Sequence, residues 1–219
     1  MKLSEHEISP QSNVAVVWFR QDLRVSDNLA LLEASKVGVV LPIYIFDEST
    51  EDKWAIGGAS KWWLHESLTA LNKKLEGKLC FARGEALDVL RNVIEQSGAK
   101  HVFWNRCYEP QAMSRDARIK TALKKDGIYA KSYSGSLLFE PHISVKEDGT
   151  PYRVFTPFFR KGCLSRFPQP ERPCGTPSEI VYYNQKGITL SKLNLKPKVK
   201  WYDSLAKAWN PGEDGAHKR

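Results

Sequence analysis

Hydrophobic positions along the chain fall into short unbroken runs separated by longer amphipathic stretches. Val14 to Trp18 is the first run; it is β-branched and uninterrupted, which predicts a strand buried on both faces. It leads directly into a dense set of polar groups, Arg20, Asp22, Arg24, Asp27 and Asn28. Ser26 or Asp27 then caps a short helix with Leu29, Leu31 and Leu32 on its apolar side. Val39 to Phe46 is a second buried strand, which delivers Asp47 to the same end as Arg20. After a loop containing Trp54 and Gly57-Gly58, Ser60 starts a long helix. Its Leu64, Leu68, Leu71 and Leu75 recur at spacings of four, three and four, one face of a 3.6-residue period.

The unit then repeats. A strand over 78–82 precedes a helix over 85–96 with Leu87, Leu90 and Ile94 turned inward. A strand over 101–104 precedes a helix from Pro110 to Asp126, with Met113, Ile119 and Leu123 as core candidates. Pro110 suits the first helical turn, where its missing N–H has no helical partner anyway. A fifth strand covers 128–133. Glycines at 77, 98 and 127 stop three of the helices just before the next strand. Five apolar runs alternating with four helices predict an α/β fold, a Rossmann-like five-stranded parallel sheet with helices on both faces.

The strand ends then form one rim, built from Arg20–Asn28, Asp47–Gly58, Arg83–Glu85, Asn105–Gln111 and Ser134–Leu138. Ligands of open α/β sheets sit at such rims. Trp18, Arg20, Asp47, Asn105, Arg106, Cys107, Glu109 and Gln111 are the candidate binding residues, because all lie at strand ends. The plain structural alternative is that the charged loop pairs internally and braces the rim. No GxGxxG follows the first strand and no GxxxxGK[ST] occurs, so side chains rather than a glycine turn must hold whatever binds.

Beyond Tyr133 the alternation stops. Pro168, Pro170, Pro173, Pro177 and Pro197 predict an extended connector. Pro211 with Glu213 and Asp214 looks like the first turn of a further helix. Four domains of sequence follow from this: a loose leader over 1–12, the α/β domain over 13–145, a linker over 146–208, and the start of another domain over 209–219.

Composition changes the picture in two ways. The net charge of +8 lies in the tail: residues 151–219 hold thirteen Lys and Arg against five Asp and Glu, whereas residues 1–150 hold twenty of each. The front domain therefore has no excess positive charge with which to grip phosphates over its surface. The four cysteines, Cys80, Cys107, Cys163 and Cys174, have no metal-ligand spacing, so no metal site is expected. No apolar run reaches transmembrane length, and the polar first dozen residues lack the apolar core of a secretory signal, so a cytoplasmic protein is expected. His65 and His101 have no carboxylate partner in the pattern, Arg115 and Asp116 read as solvated or paired across a turn, and no catalytic residue is assigned.

Several stretches together resemble one family. VVWFRQDLRVSDN, GGASKWWLHESLTALNKKL, WNRCYEPQAMSRDARIKTAL, YRVFTPFFRK and WNPGEDGA occur in the order and spacing of the photolyase and cryptochrome flavoproteins. The match runs from Val14 to the last residue and is similar to the amino-terminal α/β antenna domain and linker of a bacterial DNA photolyase. The resemblance implies a light-dependent repair enzyme, a carbon–carbon lyase that splits cyclobutane pyrimidine dimers by electron transfer from excited reduced FAD. It places the FAD site and the damaged-DNA groove in a helical domain that follows and packs on this one, which leaves the present chain inactive alone, monomeric, and the holder of the light-harvesting chromophore.

In folate-binding relatives the pterin is held by a glutamate three residues after the matched Glu109. Here that position is Ala112, so methenyltetrahydrofolate, a deazaflavin and FMN all stay open. The alternatives are a cryptochrome photoreceptor and a stand-alone nucleotide-binding domain. Trp62 and Trp63 read as packing residues, and VFTPF as a linker anchor that buries Phe155 and Phe158.

Overall fold

The structure is a computed structural model, and it describes residues 13–47, 55–165 and 172–219. The expected leader, Trp54, Pro168 and Pro170 lie outside these residues. Five strands, β1 (Val14–Phe19), β2 (Val39–Phe46), β3 (Cys80–Arg83), β4 (His101–Asn105) and β5 (Tyr129–Tyr133), form one sheet in the order β3-β2-β1-β4-β5. Every neighbouring pair is parallel. Between them run α1 (Leu29–Val37), α2 (Gly58–Lys74), α3 (Ala86–Ser97) and α4 (Pro110–Lys125).

Strand pleating sorts the core into two layers. Val14, Val16 and Trp18 of β1 share one cluster with Leu90 and Val93 of α3 and Ile119 and Leu123 of α4. Ala15, Val17 and Phe19 face the other way, onto Ala30, Leu31 and Ala34 of α1 and Leu68, Leu71 and Leu75 of α2. All of β1 and β2 is buried, as two-sided coverage of a parallel sheet requires. The glycines that stop the helices at 77, 98 and 127 take φ of +76°, +67° and +78°.

Three details differ from the sequence reading. The cap of α1 is Asn28, whose side chain accepts from the Leu31 amide at 3.0 Å, in place of the expected Ser26 or Asp27 just before it. Met113 is exposed, because the first turn of α4 stands at the rim, beyond the sheet that covers Ile119 and Leu123. Phe155 is 72% exposed and Phe158 is 36% exposed. They sit on one helical turn, α5 (Phe155–Pro157), and the π-helical stretch Phe158–Leu164, where Phe155 stacks on Phe159 instead of entering the core.

The chain after β5 stays on the α/β domain. Val181 and Tyr183 bond to both sides of Val40, on the stretch of β2 that precedes its pairing with β3. Ile188 then donates to the Phe81 carbonyl at 2.9 Å. Leu193, in a short 3-10 turn, and Leu195 are buried against the α2 layer. Gly187 makes this approach possible: a Cβ there would lie 2.5 Å from the Phe81 carbonyl oxygen and 2.8 Å from Cys80 Sγ. Of two terminal helices, α6 (Asp203–Ala208) and α7 (Glu213–His217), α7 packs on α2, and Tyr202 and Trp209 at either end of α6 meet Trp62 and Trp63.

Candidate functional site

The rim opens at the β1/β4 switch point, where the strand order reverses direction. A cleft of roughly 1800 Å³ lies there. Its floor includes Trp18, Arg20, Tyr44 and Asp47 from the ends of β1 and β2, and Cys107 follows β4. The start of α2 contributes Ala59, Ser60, Lys61 and Trp63; the start of α4 contributes Gln111, Ala112, Arg115 and Arg118.

Trp18 is the most deeply buried side chain of that floor. Its indole is 1% exposed and meets Trp104 edge-on, with ring centroids 5.9 Å apart. The guanidiniums of Arg20 and Arg115 lie 4.6 Å and 5.1 Å from its ring centroid, so two cations rest on one aromatic. Carboxylates hold both arginines in place. Arg20 Nη1 donates to Asp116 Oδ2 at 2.5 Å and its Nη2 to the Asn105 carbonyl. Arg115 reaches Asp116 at 3.2 Å and Asp47 at 3.9 Å. Arg20 Nε and Trp18 Nε1 are buried without a hydrogen-bond partner among the described residues.

The loop from Arg20 to Asn28 is largely self-braced. Asn105, 2% exposed, is its knot. Its Nδ2 donates to Asp22 Oδ2 at 2.7 Å and Asn28 Oδ1 at 2.9 Å, and its Oδ1 accepts from the Ala30 amide at 3.1 Å. Arg24 donates to the Asp27 carbonyl at 2.8 Å and the Gly135 carbonyl at 2.5 Å.

Of the eight sequence candidates, Trp18, Arg20, Asp47, Cys107, Glu109 and Gln111 line the cleft. Asn105 does not, since it is consumed by the loop. Arg106 does not either: it turns to Glu140 at 2.8 Å and to the Ser132 carbonyl at 2.8 Å. Burial is the strongest single influence and works against the Arg106 charge, but the interactions with Glu140 and Tyr108 together outweigh it and hold the guanidinium above its ordinary value. Glu109 accepts from Gln21 at 2.9 Å, and that bond, with backbone amides, keeps its carboxyl below the usual range. Burial raises the Cys107 thiol, which works against the reactive thiolate.

Arg115 and Asp116, set aside in the sequence reading, belong to the site. A signal for Asp116 was present: it lies three residues before Ile119 and seven before Leu123, on the stripe of α4 that faces the sheet. A carboxylate on an apolar stripe needs a partner, and Arg20 supplies it. Lys61 and Arg118 were not flagged, because nothing local marks their direction.

The far wall of the cleft carries the end of the chain. Glu213, 7% exposed, accepts from the Val25 and Ser26 amides at 3.1 Å and 2.9 Å, from the Ser26 hydroxyl, and from Lys74 at 2.9 Å. Burial alone would raise its carboxyl, yet these four donors hold it down at about 2. Trp62 stacks on Tyr202 and Trp63 meets Trp209 edge-on, with centroids 5.9 Å and 5.8 Å apart. Both tryptophans of α2 therefore pack against the terminal segment, as their helical setting suggested.

An α/β domain with a deep cleft at the switch point of its parallel sheet is the class that this fold defines. The chain belongs to the DNA photolyase family, whose model matches residues 15–175. It is similar to the deoxyribodipyrimidine photo-lyase of Agrobacterium fabrum, 43% identical over 208 residues that cover 92% of this chain and 42% of that protein. Cryptochrome-1 of Arabidopsis thaliana is 34% identical over 209 residues, covering 90% of this chain and 30% of that one. Among solved structures, a bacterial class III photolyase from Agrobacterium tumefaciens matches with a TM-score of 0.87 at 40% identity, covering 98% of this chain and 45% of its own. The chain thus spans less than half the length of these relatives. Among the described residues no helix is long and apolar enough to cross a membrane, and no cluster of His, Cys, Asp and Glu could hold a metal ion.

Proposed function

We propose that this chain is the amino-terminal, light-harvesting part of a DNA photolyase that splits cyclobutane pyrimidine dimers with electrons from excited reduced FAD. In this reading the rim cleft seats the antenna chromophore. A helical domain beyond residue 219 packs on this one, holds FAD and grips damaged DNA, and the 219 residues alone perform no repair. Residues 146–208 are the linker and 209–219 begin the helical part; the whole acts as a cytoplasmic monomer.

The observation that carries the reading is the cleft itself. It is large enough for a drug-sized planar molecule, and its floor is a buried tryptophan under two arginines, with orphaned donors at Arg20 Nε and Trp18 Nε1. Such donors suit the polar edge of a heteroaromatic ring, so the residues fit a folate or flavin-type antenna. Arg20, held by Asp116 and resting on the buried Trp18 ring, would present a fixed cation. The antenna, when bound, supplies blue-light absorption.

A second reading is favoured by the likeness to a plant cryptochrome: a photoreceptor of the same architecture that signals instead of repairing. Absorption and photorepair assays on the complete protein separate the cases. The proposal expects absorption beyond the tryptophan band from an antenna in addition to flavin, with light-dependent cleavage of thymine dimers. Antenna absorption without cleavage moves the protein to the photoreceptor class. No second pigment, or repair by the 219 residues alone, overturns the antenna assignment. A pigment-free protein with nucleotide affinity would instead fit the stand-alone nucleotide-binding domain.

A further inference from the structure

We infer that the exposed turn over residues 153–161 is a contact for single-stranded nucleic acid, in which the stacked rings of Phe155 and Phe159 receive an unpaired base and Arg153, Arg160 and Lys161 hold the phosphates beside it. This contact lies outside the rim cleft and outside the proposed helical domain, and it does not depend on the antenna reading.

The turn divides its aromatic rings between two tasks. Phe158 anchors it: its ring meets Tyr152 at a centroid distance of 6.2 Å, and a Cβ at the buried Gly162 would lie 3.0 Å from that tyrosine ring. Ser144 Oγ donates to the Gly162 carbonyl at 3.1 Å, and a bridge between Val145 and Pro151 closes the hairpin that precedes the turn. Phe155 and Phe159 are the outward pair. Their rings lie 9° from parallel with centroids 5.7 Å apart, and the residues are 72% and 44% exposed. A planar partner extends such a stack, and every nucleobase has a face for it.

Charge around the pair has one sign. From Gly149 to Pro170 the sequence holds Arg153, Arg160, Lys161 and Arg166 and no Asp or Glu. Arg153, Arg160 and Lys161 are exposed, and their side chains make no ion pair or hydrogen bond among the described residues. Arg160 and Lys161 directly follow Phe159, and Arg153 lies two residues before Phe155, so covalent spacing keeps all three beside the rings. Of the neighbouring acids, Glu140 accepts from Arg106 and Tyr108, Asp148 accepts from Thr150, and Glu147 follows Lys146.

The centre of a protein-docking patch is depleted of charge, whereas a single-strand site pairs stacking rings with cations that track the backbone. This turn has the second composition. A duplex keeps its bases stacked inside and would offer the turn its phosphates alone.

Fluorescence anisotropy of the 219-residue chain with three labelled probes tests this: a short oligothymidylate, an abasic strand of the same length, and a duplex of the same length. The oligothymidylate should bind roughly tenfold tighter than either of the others, the value of one stacked base. The double variant Phe155→Leu/Phe159→Leu should erase that preference while its circular dichroism matches that of the parent. Arg160→Gln/Lys161→Gln should weaken binding of the strand and flatten its dependence on salt. An abasic strand or duplex bound as tightly as the oligothymidylate, a preference that survives the phenylalanine variant, or binding to none of the probes overturns the inference. Sedimentation showing self-association that the phenylalanine variant abolishes, with no strand bound, also overturns it and makes the occupant a second copy of the chain. Each of these outcomes leaves the antenna reading standing.

Discussion

Arg20 and Asp116, ninety-six residues apart, form a buried ion pair with Nη1 2.5 Å from Oδ2 and side-chain exposures of 7% and 12%. The pair ties the end of β1 to α4 beneath the cleft and fixes the guanidinium above Trp18. Its contribution is more to shape than to net stability, because desolvating both charges offsets most of their attraction.

Removing one partner is another matter. Asp116→Ala strands the Arg20 charge, and we expect a loss of about 3 kcal/mol and a fall in Tm of roughly 10 °C. The double variant Arg20→Met/Asp116→Leu should recover most of that stability while losing ligand affinity in the cleft. Thermal melts of the three proteins decide it; a single variant as stable as the parent would show that the pair is solvated.

Glu213 makes the terminal segment acid-sensitive. Its carboxyl is held at about 2 in the fold against an ordinary value of 4.5, so the folded state favours the charged form. The contribution to docking is therefore complete above about pH 4.5 and is lost as pH falls toward 2. Fluorescence of Trp209 and Trp63, which touch, should change across that window. In Glu213→Gln the same signal should already show the undocked level at neutral pH.

Gly187→Ala should detach the linker from the sheet edge. The added methyl meets backbone atoms of Phe81, which have little room to move, and the overlap costs on the order of 1–3 kcal/mol. Limited proteolysis should then cut near residues 181–190 faster than in the parent, while the hydrogen-exchange protection of β1 stays unchanged.

Duplex DNA should bind this chain weakly. With twenty basic and twenty acidic residues across 1–150, the α/β domain offers no field to hold a backbone, and a Kd weaker than about 10⁻⁶ M is expected at physiological salt. Filter binding checks it, and a tighter, salt-sensitive complex would assign the basic linker a direct role.

What the sequence alone determined is whatever is encoded over a few neighbouring residues. The run Val39–Phe46 matches β2 residue for residue, and the Leu68–Leu71–Leu75 face of α2 is buried as its period requires, because side-chain direction in a strand or helix follows from spacing. The rim was legible for the same reason: strands that run parallel put their carboxyl ends together, so Trp18, Arg20, Asp47 and Cys107 had to be neighbours.

Tertiary structure decided which of those neighbours face the cleft and which are spent on holding it. Asn105 and Arg106 end the same strand as Cys107, yet one is locked under the loop and the other turns to Glu140. The choice is made by partners seventy-seven and thirty-four residues away. The docking of Glu213 on Ser26 spans 187 residues, and no local pattern records it. Pairings of that kind depend on burial and geometry that exist only once the sheet has brought distant segments together, which is why Asp116, Lys61 and Arg118 entered the site from the structure.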